Sequence, residues 1–196
     1  MAQRSYALAA IAACALSLVG ARPAAAGTVA YDFSAAASSG VATPATIGPA
    51  TFSSPSDPGA FVFGPNASLF SDLGPYVLSS AGNVATLDIT FSTPQIGVGF
   101  DFALGDFLGS GGGDTLTVTP NPGSPLMVTA SLVGSDFFPQ GSLDLTGAMP
   151  FSSVAISSAY PIVIADLTSD PVPEPASLAL LGAGLAGLFV ARRRRK

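Results

Sequence analysis

From Gly27 to Pro171 the chain carries eleven aspartates and no Lys, Arg, His, Glu or Cys. A fold made from such a stretch has no ion pair and no disulfide to draw on. It must be held by apolar faces and backbone hydrogen bonds alone. All seven basic residues sit at the two ends, as Arg4, Arg22 and Arg192–Lys196, so this stretch has a formal charge of −11 against −5 for the whole chain. Without cations it cannot neutralise phosphates, which excludes nucleic acid as a partner. Without His, Cys or Lys it cannot assemble a Ser-His triad, a Cys-His pair, a Schiff-base lysine or a zinc cluster. The expectation is a non-enzyme.

The apolar residues alternate, which is the strand period, and helical spacing is absent. Val29, Tyr31 and Phe33 alternate. Ala85, Leu87, Ile89 and Phe91 alternate against Thr86, Asp88 and Thr90. Ser92-Thr93-Pro94 reads as a turn, after which Ile96, Val98, Phe100, Phe102 and Leu104 alternate against Gly97, Gly99, Asp101 and Ala103. Thr115, Thr117 and Thr119 face away from Leu116 and Val118. Leu126–Val133, Phe151–Ser157 and Tyr160–Leu167 are further strand candidates. About eight short strands with one apolar face predict an all-β single domain over residues 27–171, a jelly-roll-like β-sandwich with Phe100 and Phe102 in its core. Gly97 and Gly99 mark either a bulge or a close approach by a backbone or flat ligand, with plain strand tolerance as the simpler reading. Residues 34–59, rich in Ser, Ala, Gly, Thr and Pro, read as a long surface loop or disordered arm, and 168–173 as a short linker.

The two ends have their own grammar. Residues 1–26 show a basic n-region, an apolar run over Tyr6–Val19, and Ala24 and Ala26 at the −3 and −1 positions of a cut before Gly27. That is the pattern of a secretory signal peptide, with an uncleaved anchor as the alternative. It calls for the Sec translocon and signal peptidase as partners. Cys14 lies inside the apolar run, in an Ile11-Ala12-Ala13-Cys14 sequence that resembles a lipoprotein box; because the run continues past it to a cut site, the expectation is that Cys14 is discarded with the signal, leaving no disulfide in the mature chain.

Residues 172–196 are again tripartite. Val172, Pro173, Glu174 and Pro175 precede an uncharged stretch, and Arg192, Arg193, Arg194, Arg195 and Lys196 close the chain. The prolines fix φ and block a helix from extending backwards. Residues 176–191 predict one transmembrane helix of about 24 Å, short for a hydrocarbon core of about 30 Å unless arginines snorkel. The five cations stop translocation and stay on the cytoplasmic side, in contact with membrane lipid. Pro173-Glu174-Pro175, the Leu/Gly/Ala stretch and the Arg cluster together resemble the PEP-CTERM sorting domain of exported bacterial proteins, a segment also catalogued as the ice-binding protein C-terminal domain. The resemblance covers about the last 25 residues. It implies handling by an exosortase, an inner-membrane-anchored intermediate with its domain on the periplasmic side, and a destination at the cell surface or in an exopolysaccharide or biofilm matrix. It does not imply ice binding.

Two uses remain for the aspartates. The first is solubility, as solvated side chains at turns and outer strand faces. The second is calcium, a hard cation that needs only carboxylate and carbonyl oxygens. Asp32 on the first strand and Asp166 on the last would form such a site if those strands pair. The expected function is a non-catalytic structural role in an extracellular polysaccharide layer. The alternative is a carbohydrate-binding module, calcium-dependent or not, with Tyr31, Tyr76 and Tyr160 as the residues available to stack on sugars.

Overall fold

A computed structural model describes residues 27–55, 57–66, 70–80, 86–105, 114–133, 136–173, 182 and 184. Two compact units divide the chain, Gly27–Val172 and the two ends Met1–Ala26 with Pro173–Lys196. Of the second unit only Pro173 and two helical glycines, Gly182 and Gly184, are described. The expected signal peptide with Ala24 and Ala26, the sorting residues Glu174 and Pro175, the helix over 176–191 apart from those glycines, and the tail Arg192–Lys196 lie outside the described residues. Among the described residues no helix is long and apolar enough to cross a membrane.

The first unit is all-β. Its strands are β1 (Val29–Ala30), β2 (Ala45–Ile47), β3 (Ala50–Ser53), β4 (Phe61–Pro65), β5 (Tyr76–Ser80), β6 (Leu87–Leu104), β7 (Thr115–Asn121), β8 (Leu126–Thr129), β9 (Gln140–Ser158) and β10 (Ile162–Pro171), with one short helix, α1 (Ser34–Ser38). The main hydrogen-bonded path runs β4-β5-β10-β6-β9-β7-β8. β1 adds to β10, and the β2–β3 hairpin adds to β6. The long strands β6 and β9 each serve twice. Residues 87–90 of β6 lie between β3 and the 153–156 end of β9, whereas residues 97–104 lie between β10 and the 140–146 end.

This continuous sheet folds across itself. Going from β4 to β3 along the ladder takes four strand steps, which in a flat sheet is about 19 Å. Yet the rings of Phe52 on β3 and Phe63 on β4 stand 5.5 Å apart, edge to face. Phe33, just before α1, closes the trio at 5.7 Å from Phe52 and 5.1 Å from Phe63. Two layers therefore face each other over one core of interdigitated apolar side chains, including Phe100 and Phe102 as expected.

Four expectations need correcting. Ser92-Thr93-Pro94 is not a turn between strands. It is an irregular stretch inside one 18-residue strand, where the register with β9 slips between Thr90 and Gln95 and again before Gly97. A bulge bends a strand without ending it, and here it carries the chain from one layer to the other. Residues 34–59 are not a loose arm. Ala-rich α1 packs Ala37 inward, and β2 and β3 form a hairpin around Gly48-Pro49 that pairs with β6. Gly48 has φ +55°, as the first residue of a primed two-residue turn requires. The strand expected over Leu126–Val133 ends at Thr129, leaving only a Ser131–Gln140 bridge. Residues 168–171 of the expected 168–173 linker belong to β10, where Ser169 is buried against Tyr31, and just beyond the strand the Val172 N–H donates to the Pro94 carbonyl at 2.9 Å.

Candidate functional site

On the outer face of the layer formed by β10, the 97–104 half of β6 and the 140–146 half of β9 lies a groove of about 370 Å³. Its geometry follows from strand register. Asp144 on β9 and Thr168 on β10 both stand opposite Gly99. Thr146 and Asp170 stand opposite Gly97, and Asp101 lies between Ser142 and Ala165. The floor is therefore glycine and the walls carry Asp101, Asp144, Asp166 and Asp170.

The glycines are required by what lies over them. A Cβ on Gly97 would come within 2.6 Å of an Asp170 carboxylate oxygen, and one on Gly99 within 2.9 Å of Thr168 Oγ1. Asp170 is held in place by the Thr28 hydroxyl, which donates to it at 2.6 Å. Of the readings offered for these glycines, the bulge does fall beside Gly97, where the register slips after Gln95, but neither a flat ligand nor mere strand tolerance accounts for the close approach at both positions. Both glycines make room for the protein's own side chains.

Asp166 occupies the irregular stretch of β10 between Ala165 and Thr168 and has φ +51°, in the left-handed region that Asp tolerates better than most residues. Its carboxylate accepts the Gly74 N–H at 3.0 Å, and a Cβ on Gly74 would collide with it at 2.6 Å. This bond ties the segment before β5 to the groove. Beside it, Asp136 accepts the Ser71 N–H at 3.0 Å, the Ser71 hydroxyl at 2.6 Å and the Gln140 amide at 2.5 Å. Those hydrogen bonds hold the Asp136 carboxyl below its usual pKa. Asp101 moves the other way. Burial raises its pKa, and the negative charges of Asp166 and Asp72 raise it further.

Asp166 lies on β10 and the first strand does pair with it, but Asp32, expected on that first strand, lies beyond its end at Ala30, in the irregular segment before α1: Ala30 stands opposite Thr168, and the Tyr31 N–H donates to the Leu167 carbonyl at 3.0 Å. Each carboxylate has its own partner, however. Asp32 accepts the Ser34 N–H at 2.8 Å at the start of α1, and these bonds to Ser34 lower its pKa. Among the described residues no three carboxylates gather closely enough to hold a metal ion together. Of the tyrosines, Tyr31 is buried and Tyr160 packs against the core, which leaves Tyr76 as an exposed ring.

Asp101, Asp144 and Asp170 were not singled out from sequence as site residues. A signal for Asp101 did exist, since Gly97, Gly99 and Asp101 fall on one face of an alternating strand. The neighbours that complete the groove depend on register with β9 and β10, which alternation does not encode. Chemically, the groove is a field of negative charge that draws cations and repels polyanions.

Residues 171–195 match the PEP-CTERM protein-sorting motif. No curated protein matches the chain in sequence. Among solved structures it is similar to the K2 cleaved adhesin domain of Lys-gingipain, with 14% identity and a TM-score of 0.44 over 73% of this chain and 99% of that one. It is also similar to CsCBM6-3 from Clostridium stercorarium, solved with cellobiose, with 12% identity and a TM-score of 0.36 over 62% and 94%. A third is TmCBM61, solved with β-1,4-galactotriose, with 15% identity and a TM-score of 0.34 over 63% and 89%. Similarities at these scores carry nothing about a ligand over to this chain.

Proposed function

We propose that this chain, which ends in a PEP-CTERM protein-sorting motif, is an exported, non-catalytic protein displayed at the cell surface or released into an extracellular matrix. The motif at residues 171–195 is the observation that carries the reading, since it is a signal for exosortase recognition and export. The finer steps rest on the chain's two ends. Residues 1–26 direct export through the Sec translocon and are cut before Gly27. Residues 176–191 hold an intermediate in the membrane while Arg192–Lys196 stay in the cytoplasm. The exosortase then acts near Pro173-Glu174-Pro175.

The body fits such a destination. It folds without disulfide or internal ion pair, and its base-free composition supplies neither a nucleophile with its base nor a cation clamp. An exopolysaccharide or biofilm matrix is the setting in which we place it. Calcium enters this reading as an ion that would draw Asp32, two residues beyond β1, and Asp166, on the β10 strand that β1 pairs with, away from their present hydrogen bonds to Ser34 and Gly74. A rise in the unfolding midpoint on adding calcium, reversed by chelator, is the expected result, and an unchanged midpoint removes the ion.

Fractionation with intact-mass analysis tests the whole reading. The mature chain is expected in the surface or extracellular fraction, beginning at Gly27 and lacking Arg192–Lys196. Full-length protein in the cytosol would overturn it. Carbohydrate binding is the second reading, favoured by the row of Thr46, Thr51, Thr90, Ser153 and Asn121 that strand register aligns across β2, β3, β6, β9 and β7.

A further inference from the structure

The outer face opposite the acidic groove has a different chemistry. On the layer built from β2, β3, the 87–90 end of β6, the 153–157 end of β9 and β7, strand register aligns small polar residues in rows. Thr46, Thr51, Thr90, Ser153 and Asn121 stand opposite one another across five strands. The next row is Ser53, Asp88, Ala155 and Thr119. Thr51, Ser53, Asp88, Thr90, Thr119 and Ala155 alternate with buried residues, which puts them and their row partners on the outer face, and none of the nine is buried. The Thr46 and Thr51 hydroxyls meet at 3.0 Å. Rows of this kind repeat at about 4.8 Å across the strands and about 6.8 Å along them.

The face is not flat. Ser153 and Ala155 on β9 are smaller than their flanking residues, and a trough of about 190 Å³ lies over them. Asp88 and Thr90 form one wall, Thr119 and Asn121 the other. Asp88 is the single charge among these nine positions, in a domain whose other carboxylates include four around the opposite groove.

We infer that this trough binds an extended neutral polysaccharide chain, lying along β9 between these polar walls. This rests on the reading of an exported matrix protein and names the ligand class for it. The Thr90 and Thr119 hydroxyls and the Asn121 amide both donate and accept, as does every sugar hydroxyl, and the Asp88 carboxylate accepts, so the walls pair with such a polymer in either orientation. The Ala155 methyl and the threonine methyls give the floor and walls an apolar strip for the C–H faces of the rings. Charge selects further. A polyanion is repelled by the base-free domain, and a polycation is drawn to the acidic groove instead. A protein partner would need a buried aromatic or Arg anchor, and neither residue type occurs in these rows.

The test is co-sedimentation of the mature chain, recovered from its own cells, with cellulose, curdlan and agarose as neutral polymers, alginate as polyanion and chitosan as polycation. Retention is expected on at least one neutral polymer and not on alginate. Thr90→Val with Thr119→Val removes two hydroxyls at nearly constant volume in a residue that favours strands. It should weaken retention at least 10-fold with the unfolding midpoint unchanged. Ala155→Leu, which keeps every hydroxyl but fills the trough, should do the same and stands in if the double variant fails to fold. Asp101→Asn in the groove should leave retention unaltered. Failure to bind any neutral polymer, retention on chitosan alone, or full retention by Ala155→Leu overturns the inference. Export is read separately by fractionating the same cells. Correct export without retention refutes this site alone, and a cytosolic chain refutes the reading beneath it.

Discussion

Phe52→Ala separates a packed hairpin from a surface arm. Phe52 has no exposed surface, and its ring meets Phe33, Phe63 and Tyr31 edge-on at 5.7, 5.5 and 6.5 Å. Truncating a buried Phe costs about 3–5 kcal/mol. Edge-to-face pairs contribute about 0.5–1.5 kcal/mol each beyond area. With three such pairs and complete burial, the loss belongs in the upper half of that range, about 4–5 kcal/mol. Total stabilities are about 5–15 kcal/mol, so the variant should be close to unfolded or clearly weakened. The chain has no Trp, so urea unfolding is followed by far-ultraviolet circular dichroism. With a slope of about 2 kcal/mol per molar urea, the midpoint should fall by about 2 M. Phe137→Ala is the control: that ring is 83% exposed and should shift stability by about 0.5 kcal/mol or less. A Phe52→Ala loss below about 1 kcal/mol, indistinguishable from the control, would refute the two-layer core.

Other outcomes follow from the groove and the tail. Gly→Ala in a strand normally gains about 0.5–1 kcal/mol, but Gly97→Ala meets Asp170 and should lose about 1–3 kcal/mol; Asp170→Ser should restore the gain, giving a coupling above about 1 kcal/mol in a double-mutant cycle. Asp101 has a raised pKa, so from the ordinary carboxylate range up to that raised value the folded state binds more protons than the unfolded state. Stability therefore falls as pH rises through this window, and Asp101→Asn should stabilise at pH 7 with the gain vanishing in acid, as read from urea midpoints across pH. Asp136 has a lowered pKa, so its hydrogen bonds to Ser71 and Gln140 stabilise above the ordinary carboxylate range and are lost as pH falls through the lowered value; in Asp136→Ala, amide exchange at Ser71 should speed up at neutral pH and lose that difference in acid. Changing Glu174 to Gln should leave an unprocessed membrane-bound precursor, and neutralising Arg192–Lys196 should mis-sort the chain, both read by fractionation and mass; normal maturation of both variants would contradict the sorting role.

Much of the strand content was legible because a half-buried strand must alternate. Leu87–Phe91 and Ile96–Leu104 show this directly, and both lie in β6. Their union was hidden. Ser-Thr-Pro has the composition of a turn, and a bulge uses the same residues to bend a strand whose pairing continues. The β2–β3 hairpin was hidden for another reason. Strands of three and four residues, Ala45–Ile47 and Ala50–Ser53, are too short to establish a period, and their small residues resemble linker. The usable clue was Phe52, a large apolar side chain with no business on a solvated arm, two residues past a Gly-Pro turn and Ala50. The groove and the hydroxyl rows depend on which strands become neighbours. That choice is made by long-range pairing, so only residues on strands whose own alternation is plain, among them Asp101 and Thr90 on β6 and Thr119 on β7, could be placed on a face in advance.

The two long strands leave the folded body without a seam. β6 and β9 each pass from one layer to the other as unbroken backbone, so neither leaf can peel away while its fellow stays intact. Losing one half strips hydrogen-bonding neighbours from the other, and the body should come apart all at once or not at all. If the body is exported as proposed, with no covalent cross-link, a single steep collapse is safer for it than a half-open form offering its phenylalanines to a protease.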